Sequence, residues 1–383
     1  MQLLTLLLLF LSSASSLKYI VLLWGNGQTT LNAFSSMFSN LPILIPHING
    51  SVLQYVDIGD LHVAIVDLEL PSQARLLAAS PPVKLVEAVV QVTANATVNA
   101  PGFLIQRPAT WNLMRICRKL LATNNLAYFY NATACQGIDA YVMDTGVDVS
   151  HPEFQGRVRN GPNLTNESQN TDLNGHGTHV AGIIGSKGFG VCKNINIIPV
   201  KVMNSLGSGD SSAVILGLGW IQANRDKNRH SVVNISLSGA YSQIMNIAVN
   251  QLSQLGVVVV AAAGNSGANA CNYSPASAAS ALTVGATTAV DEALVWPPSN
   301  FGPCVNINAP GSIIRSTYLR HGLAYMSGTS MAAPHVAGAV AMYWSMYPKL
   351  SADEVVRKVM WMATRGVLKK IGTSVNVLVF VEP

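Results

Sequence analysis

Four short segments carry side chains whose types suit nucleophilic acyl chemistry. Asp144-Thr-Gly146 follows Tyr141-Val-Met143, and Asn174-Gly-His-Gly-Thr-His-Val-Ala-Gly182 contains His176. Ala261-Ala-Ala-Gly-Asn265 ends a Val/Ala run, and Ser327-Gly-Thr-Ser-Met-Ala-Ala-Pro-His335 contains Ser330. A serine hydroxyl attacks a carbonyl only when a base removes its proton, and imidazole is suited to that task near neutral pH. The imidazole in turn needs a carboxylate on its other nitrogen, and the resulting oxyanion needs preset donors. Asp144, His176 and Ser330 supply the acid, base and nucleophile. The Asn265 amide and the Ser330 backbone N–H supply two donors, and Gly175, Gly177 and Gly328 leave room beside His176 and Ser330.

Each segment also has an ordinary structural reading. Asp144 before Gly146 suits a turn, Ser330 a helix N-cap, and Asn265 beside Gly264 turn chemistry. His176 and His179 are spaced like a metal pair, but no Glu or third ligand follows in register, so no metal site is assigned. The α/β-hydrolase order is excluded because it places acid and histidine after the serine. Here the last histidine, His335, lies on the same predicted helix as Ser330. The order Asp144, His176, Ser330 is the subtilisin order.

These residues need a scaffold of strands and helices. The pattern predicts strands at 139–143, 195–203, 232–237 and 257–262, and helices at 178–185, 211–226, 243–255 and 331–346. Val/Ile-rich strands alternating with helices imply an α/β fold with a mostly parallel central sheet covered on both faces. Chemistry in such sheets gathers beyond the carboxyl ends of the strands. Upstream, strands at 18–23, 61–68 and 83–92 and a short helix at 30–38 suggest a small α+β module. A boundary is expected in the linker-like stretch 93–108.

The chain has 383 residues, 49% of them hydrophobic and 11% charged, with mean hydropathy +0.33, which excludes a disordered chain. The one long apolar run, Leu3–Leu11 with Thr5 inside it, is too short to span a bilayer. Followed by Ser12-Ser-Ala-Ser-Ser16, it has the form of a secretory signal, although no Lys or Arg precedes it. The net charge of +5 divides into −2 for residues 1–100 and +7 for the rest. No basic run is present and aromatics are not interleaved with Arg, so nothing points to nucleic acid.

From Trp111-Asn-Leu-Met-Arg-Ile116 to Val375-Asn-Val377 the chain resembles the subtilisin family of serine endopeptidases, in its proteinase K-like branch. His-Gly-Thr-His-Val-Ala-Gly and Gly-Thr-Ser-Met-Ala-Ala-Pro-His carry the resemblance. It implies a three-layer α/β/α fold, the triad Asp144, His176 and Ser330, and Asn265 as oxyanion donor. It gives His179 and His335 structural roles and implies a signal at 1–16, an inhibitory propeptide at 17–100 and a catalytic domain at 101–383. Expected partners are protein or peptide substrates and the chain's own propeptide as inhibitor. The substrate cleft would be edged by Ser208-Gly209 and by Ser236, Leu237, Ser238 and Gly239, with Gly264 in the second S1 wall. Neither S1 stretch, 236–239 or 262–265, contains an acid, so apolar or aromatic P1 residues are expected.

The resemblance also implies a Cys271–Cys304 disulfide; Cys117–Cys135 is the next candidate pair, leaving Cys192 odd. No cofactor is needed for the chemistry. Calcium is a family habit, but Asn306 stands where relatives carry a ligating Asp, so weak or absent calcium is expected. Sequons occur at Asn49, Asn95, Asn131, Asn163, Asn166, Asn234 and Asn272, with Asn163 and Asn166 the expected glycan sites. Against the endopeptidase stand a catalytically silent binding protein of the same fold and a chain that cuts only itself. The intact quartet argues against the first alternative.

Overall fold

The computed structural model describes residues 17–23, 50–58, 61–68, 77, 79, 83–88, 103–120, 127–292 and 298–382. The expected signal at 1–16, the helix at 30–38, the end of the strand at 83–92 and sequons Asn49 and Asn95 lie outside them. The chain divides into two compact units, Met1–Thr97 and Val98–Pro383, and the division falls within the linker-like stretch.

In the first unit, β1 (Leu17–Leu23), β2 (Gly50–Ile58), β3 (Leu61–Leu68) and β4 (Val83–Ala88) form a sheet in the order β2-β3-β1-β4. Its pairings are antiparallel. Strand β2 was not foreseen; its polar interior, Ser51 and Gln54, dilutes the apolar alternation that marks a strand.

The second unit begins with the hairpin β5 (Phe103–Gln106) and β6 (Tyr128–Asn131), which flanks helix α1 (Trp111–Ile116). Next come β7 (Asp139–Asp144), α2 (His176–Gly185), β8 (Asn196–Lys201), α3 (Ser211–Asn224) and β9 (Ser231–Ile235). They are followed by β10 (Gly239–Ala240), α4 (Gln243–Gln254), β11 (Val258–Ala262), β12 (Tyr273–Ser274), β13 (Leu282–Thr287) and β14 (Ile307–Pro310). The hairpin β15 (Ile314–Thr317) and β16 (Leu323–Met326), α5 (Thr329–Met346), α6 (Ala352–Met362), β17 (Thr364–Arg365) and β18 (Val377–Leu378) complete the unit.

The central sheet runs β17-β18-β14-β13-β11-β9-β7-β8 and is parallel except at the β17–β18 pair. Strand alternation assigns its two faces. Val142, Ile197, Val258 and Val260 pack in one buried cluster with α2 and α5. Tyr141, Met143, Ile198, Val259 and Ala261 pack in the other with α3 and α4. The three-layer expectation holds, and α5, apolar on every side, is buried over Met331–Trp344.

Two disulfides are present, and one corrects the sequence expectation. Cys271 pairs with Cys304 as expected, with Cα atoms 5.3 Å apart. Cys135, however, pairs with Cys192 at 5.8 Å, and Cys117 is free. Asn194 Nδ2 donates to the Ala132 and Ala134 carbonyls, drawing the segment after α2 onto the loop before β7. Cys117 closes α1, where its thiol turns to the Met114 and Ala127 carbonyls. Burial pushes that thiol up from its ordinary value, which lowers its thiolate fraction.

Candidate active site

The parallel sheet places Asp144, the last residue of β7, beside the ends of β8 and β9. Its side chain is fully buried. Oδ1 accepts the Thr145 N–H (2.8 Å) and lies 2.7 Å from His176 Nδ1. His176 opens α2, its side chain 19% exposed against 0% for Asp144. Burial pulls the imidazole down, but the Asp144 charge and hydrogen bond, joined by Asp172, outweigh it, so its pKa stands above 6.5. The carboxylate thus fixes the Nδ1–H tautomer and leaves Nε2 as the basic atom. Gly177 permits this approach: a Cβ there would stand 2.1 Å from the Gly146 carbonyl and 3.1 Å from Asp144 Cβ. The glycine serves close packing of helix on strand end more than open space.

Ser330 is the second residue of α5, and α5 packs against α2. Its hydroxyl donates to the Ser236 carbonyl (3.1 Å), just beyond β9. Ser236 Oγ in return donates to the Ser330 carbonyl (2.9 Å), and Asn234 Nδ2 supports that hydroxyl. Pro334 makes the exchange possible. In a regular helix the Ser330 carbonyl would accept the N–H of residue 334, which proline lacks. The Ser330 hydroxyl is therefore engaged just beyond β9, and among the described residues it makes no hydrogen bond to His176. Such looseness is ordinary before substrate binds.

Asn265 lies beyond β11. Its Oδ1 accepts both the Thr329 N–H (2.9 Å) and the Thr329 hydroxyl (3.0 Å). With the oxygen so engaged, the amide assignment leaves Nδ2 free to donate, beside Gly328 and the start of α5. Thr329 also accepts the Gly264 N–H, joining the two loops. Gly264 has φ +98°, and a Cβ there would meet Asn300 Nδ2 at 2.4 Å and Ser238 Oγ at 3.0 Å. Gly264 and Ser238 thus bring the two expected S1 walls together.

Ser208, Gly209, Leu237, Ser238 and Gly239 line one cavity of about 540 Å³ with Met203, Val214 and Tyr241. Strand β10 already pairs on one side with β12, at Gly239–Ser274 and Ala240–Tyr273, so only its other edge is open to a further strand. Two histidines of the motifs stand apart from this arrangement. His179 Nε2 donates to the Ile314 and Ala324 carbonyls, and burial lowers its pKa to about 4. His335 sits between the Met331 carbonyl and the Asn112 amide and is likewise lowered to about 4 by burial. Asn306, at the expected calcium position, already gives Oδ1 to the Thr283 N–H (2.8 Å), and the described residues hold no cluster of three metal-ligating side chains.

The subtilase family model matches residues 137–375, which contain Asp144, His176, Asn265 and Ser330. The chain belongs to the subtilase family. It is a subtilisin-like serine endopeptidase, a class that needs no cofactor for its chemistry. This subtilase is 42% identical to an extracellular serine proteinase of Thermus sp. (strain Rt41A), over 82% of this chain and 75% of that one. It is 41% identical to alkaline serine exoprotease A of Vibrio alginolyticus, over 81% of this chain but only 57% of that protein. Among solved structures it resembles a cold adapted subtilisin-like serine proteinase, with 40% identity and TM-score 0.67, covering 71% of this chain and 98% of the other.

Three residues beside the site escaped the sequence reading. Thr145, Asp172 and Thr329 neighbour Asp144, His176 and Ser330 in or beside their motifs, and each is a short polar residue that is buried. Their short polar side chains at motif positions were the one signal the sequence offered.

Proposed function

We propose that this subtilase hydrolyses peptide bonds by attack of Ser330, with His176 as general base and then acid and Asp144 as its orienting carboxylate. The observation that carries the reading is the 2.7 Å contact between Asp144 Oδ1 and His176 Nδ1 at the end of β7. Asn265 Nδ2 and the Ser330 N–H at the start of α5 stabilise the oxyanion. An extended peptide pairs with the Ser208-Gly209 edge and the Ser236–Gly239 edge, where backbone pairing gives affinity with little sequence demand. The S1 walls carry no acid, which supports apolar or aromatic P1 residues.

Residues 1–16 act as a secretory signal and 17–100 as an inhibitory propeptide removed by self-cleavage. The apolar run Leu3–Leu11 supports the signal, and the separate unit Met1–Thr97 supports the propeptide. Secretion also agrees with the two disulfides and with the relative named as extracellular. Asn166 is exposed and is the glycan site of its loop. The Asn163 amide is engaged by the Glu167 and Gln169 carbonyls.

The test compares the native chain with Ser330→Ala on a gel and against a peptide library. The native chain is expected to cut itself near residue 100 and to cleave after apolar residues, and Ser330→Ala to do neither. Strict cleavage after Arg overturns the specificity, and hydrolysis by Ser330→Ala at the native rate overturns the mechanism.

A further inference from the structure

Asp172 lies four residues before His176 and is only 4% exposed, yet it belongs to neither the triad nor the substrate edges. Its two oxygens take five hydrogen bonds. Oδ1 accepts from the Thr145 hydroxyl (2.8 Å), the Asn174 N–H (2.9 Å) and the Gly175 N–H (2.8 Å). Oδ2 accepts from the Thr178 N–H (2.9 Å) and the Thr178 hydroxyl (2.7 Å). The Thr145 hydroxyl in turn accepts the Gly177 N–H (2.9 Å). One carboxylate therefore grips both flanks of the acid–base pair: the residue after Asp144, and the turn that delivers His176.

The grip matters because Asp144 is thinly supported. Its Oδ1 is held by the Thr145 N–H and by His176, while its buried Oδ2 has no hydrogen-bond partner among the described residues. The position of Thr145 thus sets the direction of the carboxylate. Lys201, fully buried at the end of β8, donates to the carbonyls of Thr145 (2.8 Å) and Thr171 (3.2 Å), the peptide units next to each acid. It also pairs with Glu167 at 3.1 Å.

We propose that Asp172 is a positioning residue for the reaction, holding the Asp144 carboxylate and the His176 imidazole in register through Thr145 and the first turn of α2. The inference rests on the triad reading given above. A simple helix cap would engage the turn of α2 alone; Asp172 also reaches across to β7, and that second grip distinguishes the roles. An amide cannot reproduce it. Asn at 172 has one acceptor oxygen for the two faces, and its NH2 would point at donors.

Asp172 also acts through space. Asp144 and Asp172 are the carboxylates that raise His176, while charged or titratable groups on packed elements are His179 on α2, Lys201 on β8, His335 on α5, Arg315 on β15 and Glu153 in the short turn Pro152–Phe154. Removing the Asp172 charge destabilises the imidazolium, so the pH at which the base becomes neutral falls.

The experiment uses the processed enzyme, the variants Asp172→Asn, Thr145→Val and Thr145→Ser in the same processed form, and Ser330→Ala as the full chain. Asp172→Asn is expected to lose about 10²-fold in kcat, the scale of a small misplacement of catalytic groups, with KM changed less than about threefold. Its acid limb of kcat/KM is expected at lower pH than the parent's. Thr145→Val is expected to lose roughly tenfold in kcat, and Thr145→Ser, which keeps the hydroxyl, to stay within about threefold of the parent. A folded Asp172→Asn with parental kcat and acid limb overturns the proposal. If Asp172→Asn does not yield folded enzyme, the threonine pair decides, and equal kcat for Thr145→Val and Thr145→Ser overturns it. Survival of activity in Ser330→Ala instead brings down the triad reading itself, so the two failures are told apart.

Discussion

The two sides of the cleft are built on opposite principles. On the base side Asp144, Asp172, Thr145 and Thr178 are buried and joined to one another or to backbone N–H groups at 2.7–2.9 Å. On the substrate side Ser208, Gly209, Ser238 and Gly239 are open, and Leu206 and Tyr241 stand largely exposed. Charge handling needs fixed dipoles away from water, where they are strongest and need no reorganisation. Peptide binding needs the reverse, a strand edge left unpaired until substrate completes it. Errors on the first side should therefore be read in kcat, and errors on the second in KM.

The largest test of that division is Asp144→Asn. It should lower kcat at neutral pH by about 10⁴, the scale of the same exchange in chymotrypsin-type triads, because the wrong tautomer is held. In the parent, the base works only when neutral and His176 is raised, so kcat/KM should climb through a pH above 6.5. In Asp144→Asn that limb should move down. Rate profiles check both points, and a KM-only effect would break the comparison.

Asn265→Ala should lower kcat by about 10²–10³ with little change in KM; the magnitude is subtilisin's own for its oxyanion amide and is carried over by family membership. Steady-state kinetics on a short peptide suffice to check it.

Behind the base side, His179 and His335 make a stability test. Both are lowered from 6.5 to about 4, so the folded protein resists protonation that the unfolded chain accepts. Their contribution is complete above pH 6.5 and is lost as pH falls toward 4, at roughly 3 kcal/mol for each. Denaturant midpoints of Ser330→Ala, which cannot digest itself, should fall through that window. A flat profile would show that the two imidazoles are not held neutral.

The smallest effect belongs to the groove. Tyr241→Ala should raise KM for extended peptides by a few-fold, about 1 kcal/mol of lost apolar contact, and leave kcat unchanged. A fall in kcat would blur the division of labour.

The candidate side chains were more legible in the sequence than their supports. Asp144, His176, Asn265 and Ser330 stand out through glycine-flanked motifs, and the structure sets Asp144 at the end of β7, Asn265 beyond the end of β11, and His176 and Ser330 at helix starts. Helices α2 and α5 each begin two residues before the periodicity suggested, since glycine, threonine and serine at their starts carry no hydrophobic signal. Strand β13 was missed because Gly285 interrupts it, and only the fold shows why: a Cβ there would meet Asn308 Oδ1 at 2.4 Å. Helix α6 was missed despite the capping box of Ser351 and Glu354, which marks its start. The Cys135–Cys192 pairing and the roles of Thr145, Asp172 and Thr329 depend on contacts between segments distant in the chain. No local pattern encodes those.

Pro334 has a consequence for anyone seeking a hardier enzyme. By the usual rules of stabilisation, proline inside a helix invites replacement by alanine, since it costs about 3 kcal/mol in a helix interior. Here the restored N–H would compete with Ser236 for the Ser330 carbonyl, two chain segments 94 residues apart. A sturdier helix would be obtained by loosening the nucleophile's attachment to the sheet, so heat resistance and turnover should trade against each other at this one position.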